Sequence, residues 1–414
     1  MDLKENIIQC FYTIFFIVLV NDISILNCQE YVVRKFKQGK VRGLIDIVHS
    51  GKKVEKYFGI PYAKPPIGNR RFEPPEPVDP WGDSILNASE LPPACPQPEE
   101  GLKYIENYVS RFSKSSEDCL YLNIYVPRNA VHHRIMPVLF FVHGGSYYTG
   151  MGAMFDGRAL AVEEIVVVTM NYRLGPLGFL EAGDSNFPGN YGMLDQIAAL
   201  KWVHENIEFF NGDPKRITLD GQSAGGCSVG LLMMSPLTQG MFRHVIMQSG
   251  STLAHWAVTR TNKAPDIYFK AFTSEMGCLS NSTLQIKKCL QRVDGDRIQD
   301  LVYTGFGVSS SLSPHFRPVV DGYFLPNTPE NLILSGDFDA KSVLIGSTRD
   351  EGLMAVKTLS TLCGNNSVPE TQRFLTIMHC FKGDLPSIPD IVEKEILINA
   401  STALTYVIDC ICTN

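Results

Sequence analysis

Charge is sparse in this chain and nowhere concentrated. Of 414 residues 19% are charged, 37 Lys and Arg against 43 Asp and Glu, and no block of basic residues occurs. A net charge of −6 without a basic stripe argues against nucleic acid as a partner. No internal repeat and no low-complexity segment is present, so neither a repeat array nor a biased tail is expected. Beyond Val20 no second long apolar run appears, so no membrane span is expected in the mature chain. What the chain does have is core material: 44% of its residues are hydrophobic and 10% aromatic, enough for one large α/β sheet.

The first apolar run, Ile7 to Val20, has the length of a signal-peptide core and is shorter than a membrane span. Its leading residues are atypical, because Asp2 and Glu5 outnumber Lys4. Residues 1–28 are read as a signal peptide, which makes the mature protein secreted and extracellular. The 11 cysteines fit that compartment. Cys278 and Cys289 would close a short loop, and Cys95 and Cys119 flank a Pro-, Glu- and Ser-rich stretch that reads as a long exposed loop. Asn87, Asn281, Asn365 and Asn399 each begin a glycosylation sequon. Cys227 is expected to be buried and free.

Residues 31–62 read as antiparallel strands, with Val32 to Phe36 and Val41 to Ile47 flanking Gln38-Gly39. The Pro-rich run from Ile60 to Pro80 reads as a fixed extended excursion. Cys119 to Val126 alternates, placing Leu120, Leu122, Ile124 and Val126 on one face. Val138 to Val142 and Ile165 to Met170 are continuous apolar runs, as in strands covered on both sides. Asn190 to Asn211 carries Met193, Ile197, Leu200, Val203 and Ile207 at helical spacing, and Gly212 and Pro214 end it. A strand at His244 to Gln248, a helical region from Ile267 to Val293 and a strand at Ser342 to Ile345 follow. Strands alternating with helices predict an α/β fold with a mostly parallel central sheet, helices on both faces and antiparallel strands at the N-terminus.

The chemistry centres on Gly221-Gln222-Ser223-Ala224-Gly225, a G-x-S-x-G sequence between a strand and a helix that runs to Ser235-Pro236. In that setting the serine is a nucleophile, because the turn is too sharp for side chains on either flank. A tight Gly/Ser turn with a solvated hydroxyl is the plainer alternative. A serine hydroxyl also needs backbone donors for the oxyanion it creates. His143-Gly144-Gly145-Ser146 follows a strand, where such a loop belongs, and the N–H groups of Gly145, Ser146 and Ala224 are the expected donors. An ordinary glycine turn is the alternative there.

These residues, with Phe58-Gly59-Ile60-Pro61-Tyr62-Ala63, Arg71-Phe72, Glu117-Asp118-Cys119-Leu120-Tyr121-Leu122-Asn123, Asn171-Tyr172-Arg173-Leu174-Gly175, Gly212-Asp213-Pro214, Gln248-Ser249-Gly250 and Pro318-Val319-Val320-Asp321-Gly322, resemble the type-B carboxylesterase and cholinesterase family of α/β-hydrolases. The resemblance runs from about Val41 to Glu351. It implies disulfides Cys95–Cys119 and Cys278–Cys289, Glu351 as the triad acid, and small carboxylic esters as substrates, with no metal or organic cofactor. Trp256 falls where the family lines its acyl pocket; a core tryptophan is the alternative. Three departures stand out. Gln222 occupies a position where many members have Glu, Leu86 is read at the place where cholinesterases hold choline with Trp, and Ser146 replaces a Gly or Ala.

On this fold the triad order is Ser, acid, His. After Glu351 the one histidine is His379, with no family match around it. His49, His132, His133, His204, His244, His255 and His315 precede the acid, and His143 belongs to the oxyanion loop. Residues 29–414 are therefore expected to be an incomplete, C-terminally truncated esterase domain that lacks its general base. The first functional expectation is a serine carboxylic-ester hydrolase lineage. The second is a catalytically inactive binding or adhesion protein, like the neuroligin and neurotactin branch, in which the elbow serine is commonly lost.

Overall fold

A computed structural model of the protein describes residues 30–48, 51–109, 112, 115–128, 135–260, 266–304, 315–349 and 351. The expected signal peptide at 1–28, the sequons at Asn365 and Asn399, and His379 lie outside them. Among the described residues ten strands form one sheet: β1 (Glu30–Phe36), β2 (Gly39–Ile47), β3 (Lys53–Pro61), β4 (Ile85–Asn87), β5 (Tyr121–Arg128), β6 (Met136–Val142), β7 (Val166–Met170), β8 (Gly212–Gln222), β9 (His244–Gln248) and β10 (Ser342–Gly346). Their order is β1-β2-β3-β5-β7-β6-β8-β9-β10, with β4 beside β2. Pairing is antiparallel from β1 through β3 and β5 to β7. From β7 through β6, β8 and β9 to β10 it is parallel. This is the α/β-hydrolase arrangement that the resemblance implies.

The apolar runs fold as strands buried on both sides, and their alternate residues enter different cores. Val138, Phe140 and Val142 of β6 and Val166, Val168 and Met170 of β7 join the main cluster, with the helices Tyr191–Asn206 and Ala224–Met234. Leu139 and Val167 point the other way, into a second cluster with Ala161 and Leu160 of the helix Arg158–Ala161. Period-two alternation thus feeds both faces of the sheet. Fully burying each such aliphatic or aromatic side chain contributes roughly 1.5–3 kcal/mol. β5 is buried on both faces: beside Leu122, Ile124 and Val126 on one, Asn123 and Tyr125 on the other are buried too. Asn123 is tolerated there because its amide bonds Thr169 Oγ1 at 3.0 Å and accepts from the Gly59 N–H at 3.1 Å.

The long helical reading ends early. The α-helix spans Tyr191–Asn206, a short 3₁₀ turn covers Ile207–Phe210, and Asn211 closes it in the left-handed region at φ 62°. The stretch between Cys95 and Cys119, read as an exposed loop, carries a helix at Glu99–Glu106. Its Ile105 packs with Val109, Phe112, Ala94 and Met151 in a third small core. The acidic outer face of that helix disguised its apolar stripe. Both disulfides are formed, Cys95–Cys119 and Cys278–Cys289, and Cys227 is buried and unbridged. Asn87 and Asn281 are exposed. Among the described residues no helix is long and apolar enough to cross a membrane.

Two buried ion pairs tie the excursions to the sheet. The Arg71 guanidinium forks onto Glu117, both contacts 2.7 Å, and its third nitrogen donates to the carbonyls of Leu290 and Val293. Arg173 forks onto Asp195 at 2.8 and 2.7 Å and reaches the Glu73 carbonyl at 2.9 Å. Such pairs are costly to break, because the surviving charge is left buried. Arg173→Met is expected to lower unfolding free energy by about 3–5 kcal/mol, and the double variant with Asp195→Leu to recover most of it. Urea midpoints check this; a double variant as unstable as the single one would contradict it.

Candidate active site

β6 and β8 run side by side, and both end at the same edge of the sheet. β8 delivers Ser223, and the helix Ala224–Met234 starts at the next residue. Ser223 has φ 56° and ψ −122°, a strained conformation for a residue with a Cβ. Holding it costs on the order of 1–3 kcal/mol, which neighbouring contacts must offset. The Ser223 N–H donates to the Gln248 carbonyl at 2.8 Å, and the Ser223 carbonyl accepts from the Cys227 N–H at 3.0 Å.

The glycines around the turn are demanded by space. A Cβ on Gly225 would lie 2.0 Å from the Val142 carbonyl oxygen, and one on Gly221 would lie 2.2 Å from that of Gly225. A Cβ on Gly144 would lie 2.5 Å from the Gln222 carbonyl oxygen and 3.1 Å from Ser223 Cβ. The loop after β6 is therefore packed directly against the turn that carries Ser223. The structure brings Gly145, Ser146, Ser223 and Gln222 together around one cavity of about 590 Å³. Ala224, which opens the helix behind Ser223, is buried.

The loop His143–Gly150 is held from several sides. The Gly145 carbonyl accepts from the Tyr148 and Thr149 N–H groups, both at 2.9 Å, and the Tyr147 carbonyl accepts from Gly175 at 2.7 Å. Gln97, buried inside the Cys95–Cys119 loop, pairs reciprocally with Gly150: its amide donates to the Gly150 carbonyl at 3.0 Å and its oxygen accepts from the Gly150 N–H at 2.8 Å. The disulfide loop thus braces the His143–Gly150 loop. Sequence reasoning missed Gln97, and no pattern in the chain marks it.

His143 lines the same cavity but is committed to the loop. Its ring stacks on Tyr172 with centroids 4.4 Å apart, and Nδ1 lies 2.8 Å from the Gly144 carbonyl. Burial pushes its pKa down to about 4, against a smaller opposing effect from the Gly144 bond. Among the described residues it is the one imidazole lining the cavity.

Glu351 lies beyond β10, whose Gly346 pairs with Gln248 of β9. Its carboxylate accepts from Ser249 Oγ and from the Thr348 N–H at 2.9 Å. Burial disfavours its charge, but those hydrogen bonds outweigh it and hold the carboxyl below its usual range. Ser249 adjoins Gly250, where a Cβ would meet the Ser223 carbonyl oxygen at 2.3 Å. Glu351 therefore stands on the elbow side of the sheet, and among the described residues its hydrogen-bond partners are Ser249 and Thr348.

Trp256 is half-buried against the main core and is not among the residues lining this cavity. Leu86 lies on β4, pairs with Val41 of β2 and packs on the same core. The wall is instead made by Phe141 stacked on Phe155, centroids 4.1 Å apart and 20° between planes, with Met154, Tyr104 and Tyr148. Glu100 is the one carboxylate in that wall.

The family model described as the carboxylesterase family matches residues 30–380. The chain is 39% identical over 367 residues to neuroligin-2 of Mus musculus, covering 80% of this chain and 43% of that protein. It is 38% identical over 343 residues to neuroligin-3 of Mus musculus, covering 73% and 40%. It is 39% identical over 328 residues to pyrethroid hydrolase Ces2e of Rattus norvegicus, covering 77% and 55%. The chain spans about half the length of these curated relatives.

Because His143 is neutral in the fold and titrates near its ordinary value of 6.5 when unfolded, the unfolded chain binds the extra proton between pH 6.5 and about 4. Stability from this residue is fully present above that window and falls as pH drops through it, by about 3 kcal/mol in total. Urea midpoints taken down this pH range should fall more steeply for the parent than for His143→Asn. Equal slopes would contradict the burial argument.

Proposed function

The chain belongs to the carboxylesterase family, and from that premise we propose that its site is built for serine ester hydrolysis. Ser223 attacks the ester carbonyl. The N–H groups of Gly145, Ser146 and Ala224 receive the oxyanion, and Glu351 is the acid that orients a general-base imidazole. The observation that carries this reading is the contact between the Gly144–Ser146 loop and the strained Ser223. Backbone donors held rigidly beside a nucleophile stabilise charge that appears only in the transition state. The described residues assign no base: His143 is fixed in the loop and kept neutral by burial.

The cavity favours neutral esters with an apolar group. Phe141, Phe155, Met154 and Tyr148 supply the apolar wall, and Gln222 and Gln248 supply uncharged polar groups beside Ser223. The two disulfides and the exposed sequons at Asn87 and Asn281 support an extracellular, glycosylated protein.

A second reading, a non-catalytic binding or adhesion protein with a protein partner, is favoured by the neuroligin matches, of which neuroligin-2 equals the hydrolase in identity. A fluorophosphonate probe separates the two. The full folded chain is expected to be modified at Ser223, with modification abolished in Ser223→Ala. Gly145→Ala keeps the N–H, but its Cβ would lie 2.1 Å from the Thr149 carbonyl oxygen, so it should displace the loop's donors and slow modification about 10²-fold, the usual effect of losing an oxyanion donor. No adduct on a folded sample, even with imidazole added to stand in for the unassigned base, would overturn the hydrolase reading and leave the binding one.

A further inference from the structure

The site contains a buried carboxylate that the reaction above does not use. Asp220 lies three residues before the nucleophile on β8, and only 4% of it is exposed. Among the described residues it has no basic partner: the influences on it are burial first, then opposing bonds from Gln248 and the Gly221 N–H, and its carboxyl sits above the ordinary range. A buried carboxylate with no cationic partner lowers stability, so its presence beside a nucleophile calls for a reason.

Its neighbour supplies one. Gln248 Nε2 donates to both Asp220 oxygens, at 2.8 and 3.0 Å. Gln248 is tied to the elbow a second time, because its backbone carbonyl holds the Ser223 N–H at 2.8 Å. It also lines the cavity. A carboxylate can only accept hydrogen bonds, so it dictates which end of the Gln248 amide faces it. We propose that Asp220 is a positioning residue: by clamping Gln248 it fixes the carbonyl that holds Ser223 in its strained conformation and orients the Gln248 amide in the cavity wall. This rests on the reading of Ser223 as the nucleophile.

The test compares Asp220→Leu and Gln248→Met, which each remove the clamp, with Asp220→Asn, which keeps one acceptor. Two quantities are read on the full chain: the rate of fluorophosphonate modification of Ser223, and hydrogen exchange of the 220–225 backbone by mass spectrometry. The Leu and Met variants should react about tenfold or more slowly and exchange faster, while Asn should stay within about threefold of the parent. The double variant Asp220→Leu/Gln248→Met should be no slower than the slower single one, since one link is lost in all three. Asn should melt no lower than the parent, because the buried charge is gone. If Asp220→Leu fails to fold, Gln248→Met carries the test. Parent-like reaction and exchange in the clamp-less variants would overturn the proposal, as would losses in Asn equal to those in Leu. A parent that never reacts, yet loses Ser223 protection when the clamp is removed, would sink the nucleophile reading and leave the clamp standing.

Discussion

The site depends on how closely three stretches of backbone approach one another. The end of β6, the end of β8 and the start of the following helix meet with no room for side chains at Gly144, Gly221 and Gly225. This closeness sets the geometry. It forces Ser223 out of the allowed helical and extended regions, and it brings the N–H groups after His143 alongside the serine. A single methyl group at Gly225 would meet the Val142 carbonyl 2.0 Å away and push the strands apart. Parallel pairing of β6 with β8 makes the approach possible, because both strands deliver their loops to the same edge.

Strain of this kind persists only where surrounding structure over-determines it. Here the support is polar and buried. The Gln97 amide fastens Gly150, the disulfide Cys95–Cys119 anchors the loop that carries Gln97, and Arg71 with Glu117 locks that loop's far end. Arg173 and Asp195 hold the strand end after β7 against the Tyr191–Asn206 helix. On the other flank, Ser249 links the elbow side to the Glu351 carboxylate. The rigid frame is thus continuous from the disulfide loop to β10.

Much of this was legible in the sequence, and the reasons differ by residue. The apolar runs of β6 and β7 are explicit in composition, and the elbow glycines are explicit because sharp turns admit few residues. The motifs that carried the family resemblance, Arg71-Phe72, Glu117-Asp118 and Asn171-Tyr172-Arg173, contain buried polar residues with partners far along the chain. Spacing alone gives no sign of those partners. Gln97 is invisible for the same reason, since its bonds to Gly150 reach 53 residues along the chain. The helix at Glu99–Glu106 is hidden by exposed acids. Trp256 was read both as a pocket residue and as a core residue; it packs on the core and is not in the cavity wall.

The central claim is that the loop after β6 presents its N–H groups to an oxygen on a group bonded to Ser223. A crystal structure of the phosphonylated full chain measures this directly. The account predicts one phosphonyl oxygen within hydrogen-bond distance of the Gly145 and Ala224 nitrogens. A phosphonyl group on Ser223 whose oxygens all turn away from those nitrogens, with the loop otherwise unchanged, would contradict it.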